Sequence, residues 1–492
     1  MLFKSRKATT LGGDAVRLTT SKIMTLAISM LSTMLLARFR TLTEYGTFSQ
    51  ILLVINLAST LFMLGLPNSI NYFLARADSE EDKRRFLSVY YTLSTALSII
   101  IGAVLVLAIP LIEAFFHNSL IGKFYYVLAL FPWASIITAS IENILVVYKR
   151  TRFLMVYRLV VSVVTLGSVV VVKLFGWSFT DYMNIFIAIH CILAILTYII
   201  VAHYSGKLRF LIDSDLIKKV FVFSIPMGLA AVVGTLNTEI DKLLIGYLMD
   251  TEQMSIYTNA AKELPLTIVA SSITAVLLPF LTRMIKKNRY KDAVVLWGYA
   301  TELSFIIICL VVAGVVTYAE EVIELLYSAK YLPGVGVFRI YTLNLLLRVT
   351  YFGIILNACG KTKKIFYCSL VSLGLNVVLN PVFYLIFGMI GPAIATFISI
   401  LCITLLQLIM TSKVTAISFG KIFPWKSIFV ILFINSVLAV IFYFVKKMLV
   451  LDKWIGNIPE AILLGVIWCV IYFIIMRKEI RKKWTLLNME EQ

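Results

Sequence analysis

Apolar runs long enough to cross a bilayer recur along this chain from one end to the other, and that recurrence limits its fold more than any other feature. A helix rising 1.5 Å per residue needs about 20 apolar residues to span a hydrocarbon core ~30 Å thick. Such windows lie at 17–38, 45–66, 86–109, 121–147, 153–174 and 181–203, then at 218–243, 253–281, 292–317, 334–358, 365–386 and 390–411. A last pair lies at 427–449 and 458–476. They predict an all-α integral membrane protein with about 14 transmembrane helices. With 60% of its 492 residues hydrophobic and 14% charged, the chain has no soluble alternative of ordinary composition. The apolar run at 23–37 follows a basic start but lacks a cleavage motif, so it reads as the first membrane helix.

The net charge of +19 comes from short basic clusters between apolar runs. That is the pattern of cytoplasmic loops, so nucleic acid is not an expected partner. With the N-terminus inside, inner segments hold 31 of the 45 lysines and arginines and outer segments hold nine. Both termini are therefore expected in the cytoplasm. The remaining five, Lys22, Arg158, Lys262, Arg339 and Arg348, fall within predicted spans, where a charge is costly and needs a reason.

The first twelve spans read as two copies of six. LLARFRTLTEYGTFSQ (35–50) parallels LLIGYLMDTEQMSIYTNA (243–260), and YKRTRFLMVYRLV (148–160) parallels CGKTKKIFYCSLV (359–371) at nearly the same offset. The expected division is an N-lobe at 1–212, a C-lobe at 213–415, and two accessory helices with a basic cytoplasmic tail at 416–492. Because each copy has an even number of spans, the lobes should be related by an axis along the membrane normal, and transporters so built place their site between repeats.

Enzymatic readings find little support. Gly360-Lys361-Thr362 resembles the end of a phosphate loop, but the glycine such a loop needs is Ile355. Outer connections are short and carry no acidic motif of a glycosyltransferase or polymerase. The six cysteines form no CxxC and have no histidine pair beside them, so no metal site or disulfide framework is expected.

Polar stripes do more to suggest function. Lys22, Thr25, Ser29 and Ser32 share a face of the first helix; Tyr341, Asn344, Arg348 and Tyr351 do so on the tenth. Arg158, Ser162 and Thr165 on the fifth and Ser135, Thr138 and Glu142 on the fourth add two more. Arginine offers phosphate a bidentate fork, and tyrosine and asparagine suit sugar hydroxyls. An anionic ligand with a sugar portion would satisfy both. Glu239, Asp241, Lys242, Lys262 and Glu263 lie near outer helix ends, either as static ion pairs or as a gate whose pairs break and reform. Glu142 and Glu302 are further candidates for ion coupling. Pro226, Gly228, Pro265, Pro279 and Gly391-Pro392 mark either flexing points or sites of close packing.

RFRTLTEYGTFSQ (38–50), GLPNSINYFLAR (65–76), EIDKLLIGYLMDTEQMSIYTNAA (239–261), LNACGKTKK (356–364) and NVVLNPVFYLIFGMIGPAIATFIS (376–399), in this order and spacing, resemble the polysaccharide flippase family. These are the Wzx-type transporters of the multidrug/oligosaccharidyl-lipid/polysaccharide exporter superfamily. The resemblance implies a V of two six-helix lobes, like that of multidrug exporters of the superfamily, around a cationic cavity. It implies transport by alternating access of an undecaprenyl-pyrophosphate-linked oligosaccharide across the bacterial cytoplasmic membrane, with no enzymatic activity. Cavity bases are thought to hold the phosphates in this family; here those would be Lys22, Arg158, Lys262, Arg339 and Arg348, with Tyr341, Asn344 and Tyr351 toward the sugars. Expected partners are the lipid-linked oligosaccharide, membrane lipids and polysaccharide polymerase machinery, around a monomer with no cofactor beyond a proton or sodium gradient. A lipid II flippase and a cation-coupled multidrug exporter remain alternatives.

Overall fold

The computed structural model describes residues 11–449 and 451–489, and no strand occurs among them. The first six expected spans are the long helices α1 (Leu11–Phe39), α2 (Leu42–Met63), α3 (Glu80–Leu107), α4 (Tyr125–Val147), α5 (Thr151–Leu174) and α6 (Phe179–Ser205). Their starts are written locally: Thr41 and Glu44 form a capping box at α2, Ser178 and Asp181 another at α6, and Ser79 caps α3. The chain continues through α7 (Ser214–Leu248), α8 (Thr251–Ala260), α9 (Thr267–Lys286), α10 (Tyr290–Thr317), α11 (Ala319–Tyr327), α12 (Val335–Asn344) and α13 (Ile354–Ala358). It ends with α14 (Thr362–Phe387), α15 (Gly391–Thr415), α16 (Trp425–Leu449) and α17 (Asn457–Met489).

Among the described residues, eleven stretches, rather than the fourteen expected, are long and apolar enough to cross a membrane. One of the eleven, Thr362–Thr415, is a hairpin in which α14 and α15 pack on each other, so it covers two expected spans. Its turn uses Gly388 at φ +60° and a close approach at Gly391, where a Cβ would lie 2.1 Å from the Phe383 carbonyl oxygen. The expected spans at 253–281 and 334–358 are not single helices. The first is α8, an irregular link and α9; the second is α12, a 3-10 turn at Leu345–Leu347, an irregular link and α13. Pro265 explains the first break, because it lacks an N–H and forces Leu264 away from helical dihedrals. The second has no such residue and is held by tertiary contacts, among them a 2.9 Å bond from Trp297 Nε1 to Thr350 Oγ1.

The chain forms two compact units. One comprises the residues up to Glu239 together with Gly246–Ser255; the other comprises Ile240–Ile245 and everything from Ile256 onward. In the first, α1 packs on α5, and α4 packs between α3 and α6. Phe48, Tyr182 and Phe186 meet edge to face or tilted in its core. Gly228 lets α7 touch the end of α2, since a Cβ there would lie 2.1 Å from the Leu64 carbonyl carbon, and α7 runs on through Pro226 as one helix. At the start of α7, Asp213 caps the Leu216 N–H at 3.1 Å and pairs with Arg85 of α3. These two bonds hold its carboxyl below the usual carboxylate range.

In the second unit α10 is the central post, with α16 and α17 packed against it. Trp468 of α17 stacks on Phe442 of α16 with ring centroids 5.2 Å apart, and Tyr472 Oη donates to the Ile306 carbonyl at 3.1 Å.

Candidate functional site

Irregular backbone at membrane depth persists only where protein buries it or where it lines a cavity, and broken helices form ion and substrate sites in many transporters. The two interruptions in the second unit therefore mark its candidate site. Arg348, the first residue after the 3-10 turn, places Nη1 3.1 Å from Glu263 Oε2 in the α8–α9 link. One break thus supplies the base and the other the acid. Lys242 and Asp241 also act electrostatically on Glu263, and Lys242 acts on Lys262, which is half-buried beside Glu263.

Toward α12 the same two segments are joined by a buried carboxylate. Asp241 of α7 is 1% exposed, and its Oδ2 accepts from Tyr257 Oη of α8 at 2.7 Å and from Tyr341 Oη of α12. The tyrosine rings meet edge to face, with centroids 6.4 Å apart. A buried carboxylate is tolerable only with such donors. The turn leading into α12 comes close to α8 here: a Cβ on Gly334 would lie 3.0 Å from that of Ala260. Asn344, one turn beyond Tyr341, is fully buried and neither atom of its amide finds a hydrogen-bond partner; Asn259 on α8 is in the same position. Buried amides left open cost roughly 1–3 kcal/mol each unless a ligand or water satisfies them.

The other candidates lie elsewhere. Tyr351 is half-buried in the α12–α13 link, off any shared helical face with Tyr341, because the helix carrying the expected stripe ends at Asn344. That stripe is corrected: Tyr341 and Asn344 belong to α12 and Arg348 and Tyr351 to irregular chain. Arg158 of α5 pairs with Glu142 of α4 and donates to Ser21 Oγ of α1 at 3.1 Å, locking three helices of the first unit. Lys22 is exposed on α1, with no ion pair among the described residues. Most stripe hydroxyls bond their own helix: Ser162 donates to the Arg158 carbonyl at 2.9 Å and Thr138 to that of Ala134 at 2.7 Å. Arg339 pairs with Glu320 at 3.3 Å. Glu302, 5% exposed, is bound by Lys483 of α17 at 2.6 Å, which fastens the last helix to α10. Glu239 is half-buried on α7. Tyr257 was absent from the sequence-derived set, although it lies five residues before Lys262.

A family model described as polysaccharide biosynthesis protein matches residues 35–336, more than half of the chain. The chain belongs to this family. The chain is a multi-pass membrane protein. An uncharacterized membrane protein of Methanocaldococcus jannaschii is 22% identical over 74% of this chain and 88% of its own length. The capsular polysaccharide biosynthesis protein CapF of Staphylococcus aureus is 24% identical over 45% of this chain and 59% of its own. Among solved structures, the lipid II flippase MurJ in an inward closed conformation aligns with a TM-score of 0.74 at 19% identity, covering 94% of this chain and all of that one. An inward-facing multidrug exporter of the superfamily aligns at 0.63 with 15% identity, over 82% of this chain and 99% of its own. These likenesses show the fold.

Proposed function

We propose that this family member moves an undecaprenyl-pyrophosphate-linked oligosaccharide from the inner to the outer leaflet of a bacterial cytoplasmic membrane, by alternating access, for a cell-surface polysaccharide. The observation that carries the reading is the Arg348–Glu263 pair across two interrupted helices. Glu263 takes one guanidinium nitrogen, and about a third of the Arg348 side chain stays open, 34% against 22% for Glu263. A pyrophosphate can compete for that guanidinium bidentately, which the single carboxylate contact does not. Lys242 and Lys262 lie nearby and add positive charge around that guanidinium. Asp241, held by two tyrosines, is the proposed place where a proton or sodium ion couples to the change. The capsular role of the Staphylococcus aureus relative supports the substrate class.

Flipping of lipid II is the second reading, favoured by the full-length similarity to MurJ. Mass spectrometry of polyprenyl lipids from cells lacking the protein separates the two. Accumulation of an oligosaccharide on undecaprenyl pyrophosphate supports the proposal, a peptide-bearing disaccharide supports the second reading, and an unchanged pool in cells still making the polymer overturns both.

A further inference from the structure

Two cavities of the second unit meet at Tyr318 and Glu321. One, of about 710 Å³, is an apolar trough between α10 and α17 closed at one end by α11. Gly314 and Gly465 stand on its facing walls, and a Cβ built on either meets no atom within 4 Å. Along α17 the apolar part of the trough runs from Ile458 to Ile474, with Arg477 beyond it on the same wall. At 1.5 Å per residue that is a rise of about 24 Å, more than the roughly 15 Å of hydrocarbon in one leaflet.

The adjoining cavity, of about 550 Å³, is polar and balanced in charge: Glu320, Glu321 and Glu460 share it with Arg339, Lys446 and Lys447. Its deeper groups are already engaged. Lys446 pairs with Glu321, and Glu460 accepts the Leu451 N–H at 3.1 Å. Glu320 and Arg339 pair with each other at 3.3 Å but keep 64% and 41% of their side chains exposed, and Lys447 is exposed beside them, its ammonium 5.6 Å from the Tyr443 ring centroid. Two cations beside a carboxylate, at the mouth of an apolar trough, match a headgroup with a phosphate and an amine over an acyl chain. An anionic headgroup that drew Arg339 toward its phosphate would leave Glu320 without the partner it now has, whereas an amine replaces that partner.

We propose that α10, α11 and α17 bind one bilayer phospholipid with a zwitterionic headgroup, phosphate toward Arg339 and Lys447, amine toward Glu320, one chain lying past Gly314 and Gly465. In the orientation set by the basic loops this headgroup sits in the outer leaflet. The lipid fills the seam between the last helix and α10, apart from the Arg348–Glu263 junction, so the site stands whatever substrate the protein carries.

The test is native mass spectrometry of the full chain in mild detergent, offered phosphatidylethanolamine, phosphatidylglycerol or undecaprenyl phosphate at equal concentration. One phosphatidylethanolamine is retained by the wild type, in preference to the other two lipids. Gly314→Leu and Gly465→Leu, which occupy open space, each lower that retention about tenfold while the melting temperature in lipid-free detergent is unchanged. Lys447→Glu removes the preference for the zwitterion. Equal retention by both leucine variants overturns the site, and preferential retention of phosphatidylglycerol or undecaprenyl phosphate overturns its headgroup assignment.

Discussion

Arg348 and Glu263 face each other at 3.1 Å from two separate helix interruptions, so a single ion pair closes both breaks. If the pair serves transport as well as structure, its two roles come apart on mutation. Arg348→Ala should abolish flipping and cost roughly 1–3 kcal/mol of stability, less than the ~3–5 kcal/mol of a fully buried pair because both side chains are partly open. Arg348→Lys should keep part of the flipping. The swap of Arg348→Glu with Glu263→Arg should recover the melting temperature and not the transport. Recovery of both by the swap would make the pair structural only.

Asp241 depends on two hydroxyls. Tyr257→Phe and Tyr341→Phe should each lower stability by about 1.5–3 kcal/mol, the range for a hydrogen bond to a charged group. The double variant should exceed their sum, because after either single change the remaining donor carries more of the burden. Thermal unfolding in detergent reads all three. Simple additivity would mean that the tyrosines act independently of the carboxylate.

Close backbone approaches make a sharper contrast. Gly228→Ala and Gly391→Ala place a Cβ 2.1 Å from backbone atoms and should each destabilise by more than the ~1 kcal/mol that alanine gains over glycine inside a helix. Gly374→Ala, with nothing within 4 Å of the new atom, should be neutral or stabilising. Expression level and melting temperature distinguish them.

The Arg85–Asp213 tie gives a pH dependence with a definite sign. Because the folded carboxyl titrates below its unfolded value near 3.9, its stabilisation is complete above that value and is lost as pH falls through the lower, folded pKa. The melting temperature of the wild type should therefore drop more steeply below pH 4 than that of Asp213→Asn. Parallel curves would remove the tie from the account.

Much of this was visible in the sequence, and the failures have physical causes. Apolar length located nearly every helix, and Pro265 was noted as a possible bend. The break after Asn344 was invisible because no proline makes it and Gly353 comes only at its far end; Trp297, 53 positions away, holds Thr350, and Glu263 holds Arg348. Helical spacing then grouped Tyr341 with Tyr351 on a face that the chain does not form. Periodicity also could not tell a hydroxyl that bonds its own helix, such as Thr138, from one left open, such as Thr25. Nor could it show that Glu302 is committed to Lys483 from the last helix.

The central claim is transport of a lipid-linked oligosaccharide through the Arg348 junction. It is tested most directly in proteoliposomes loaded with the undecaprenyl-linked glycan recovered from cells lacking the protein, with an external glycosidase reading the outer leaflet. The glycan on the inner leaflet should become accessible with wild-type protein and stay at the level of protein-free liposomes with Arg348→Ala. Wild-type protein that exposes no more glycan than protein-free liposomes would contradict the account.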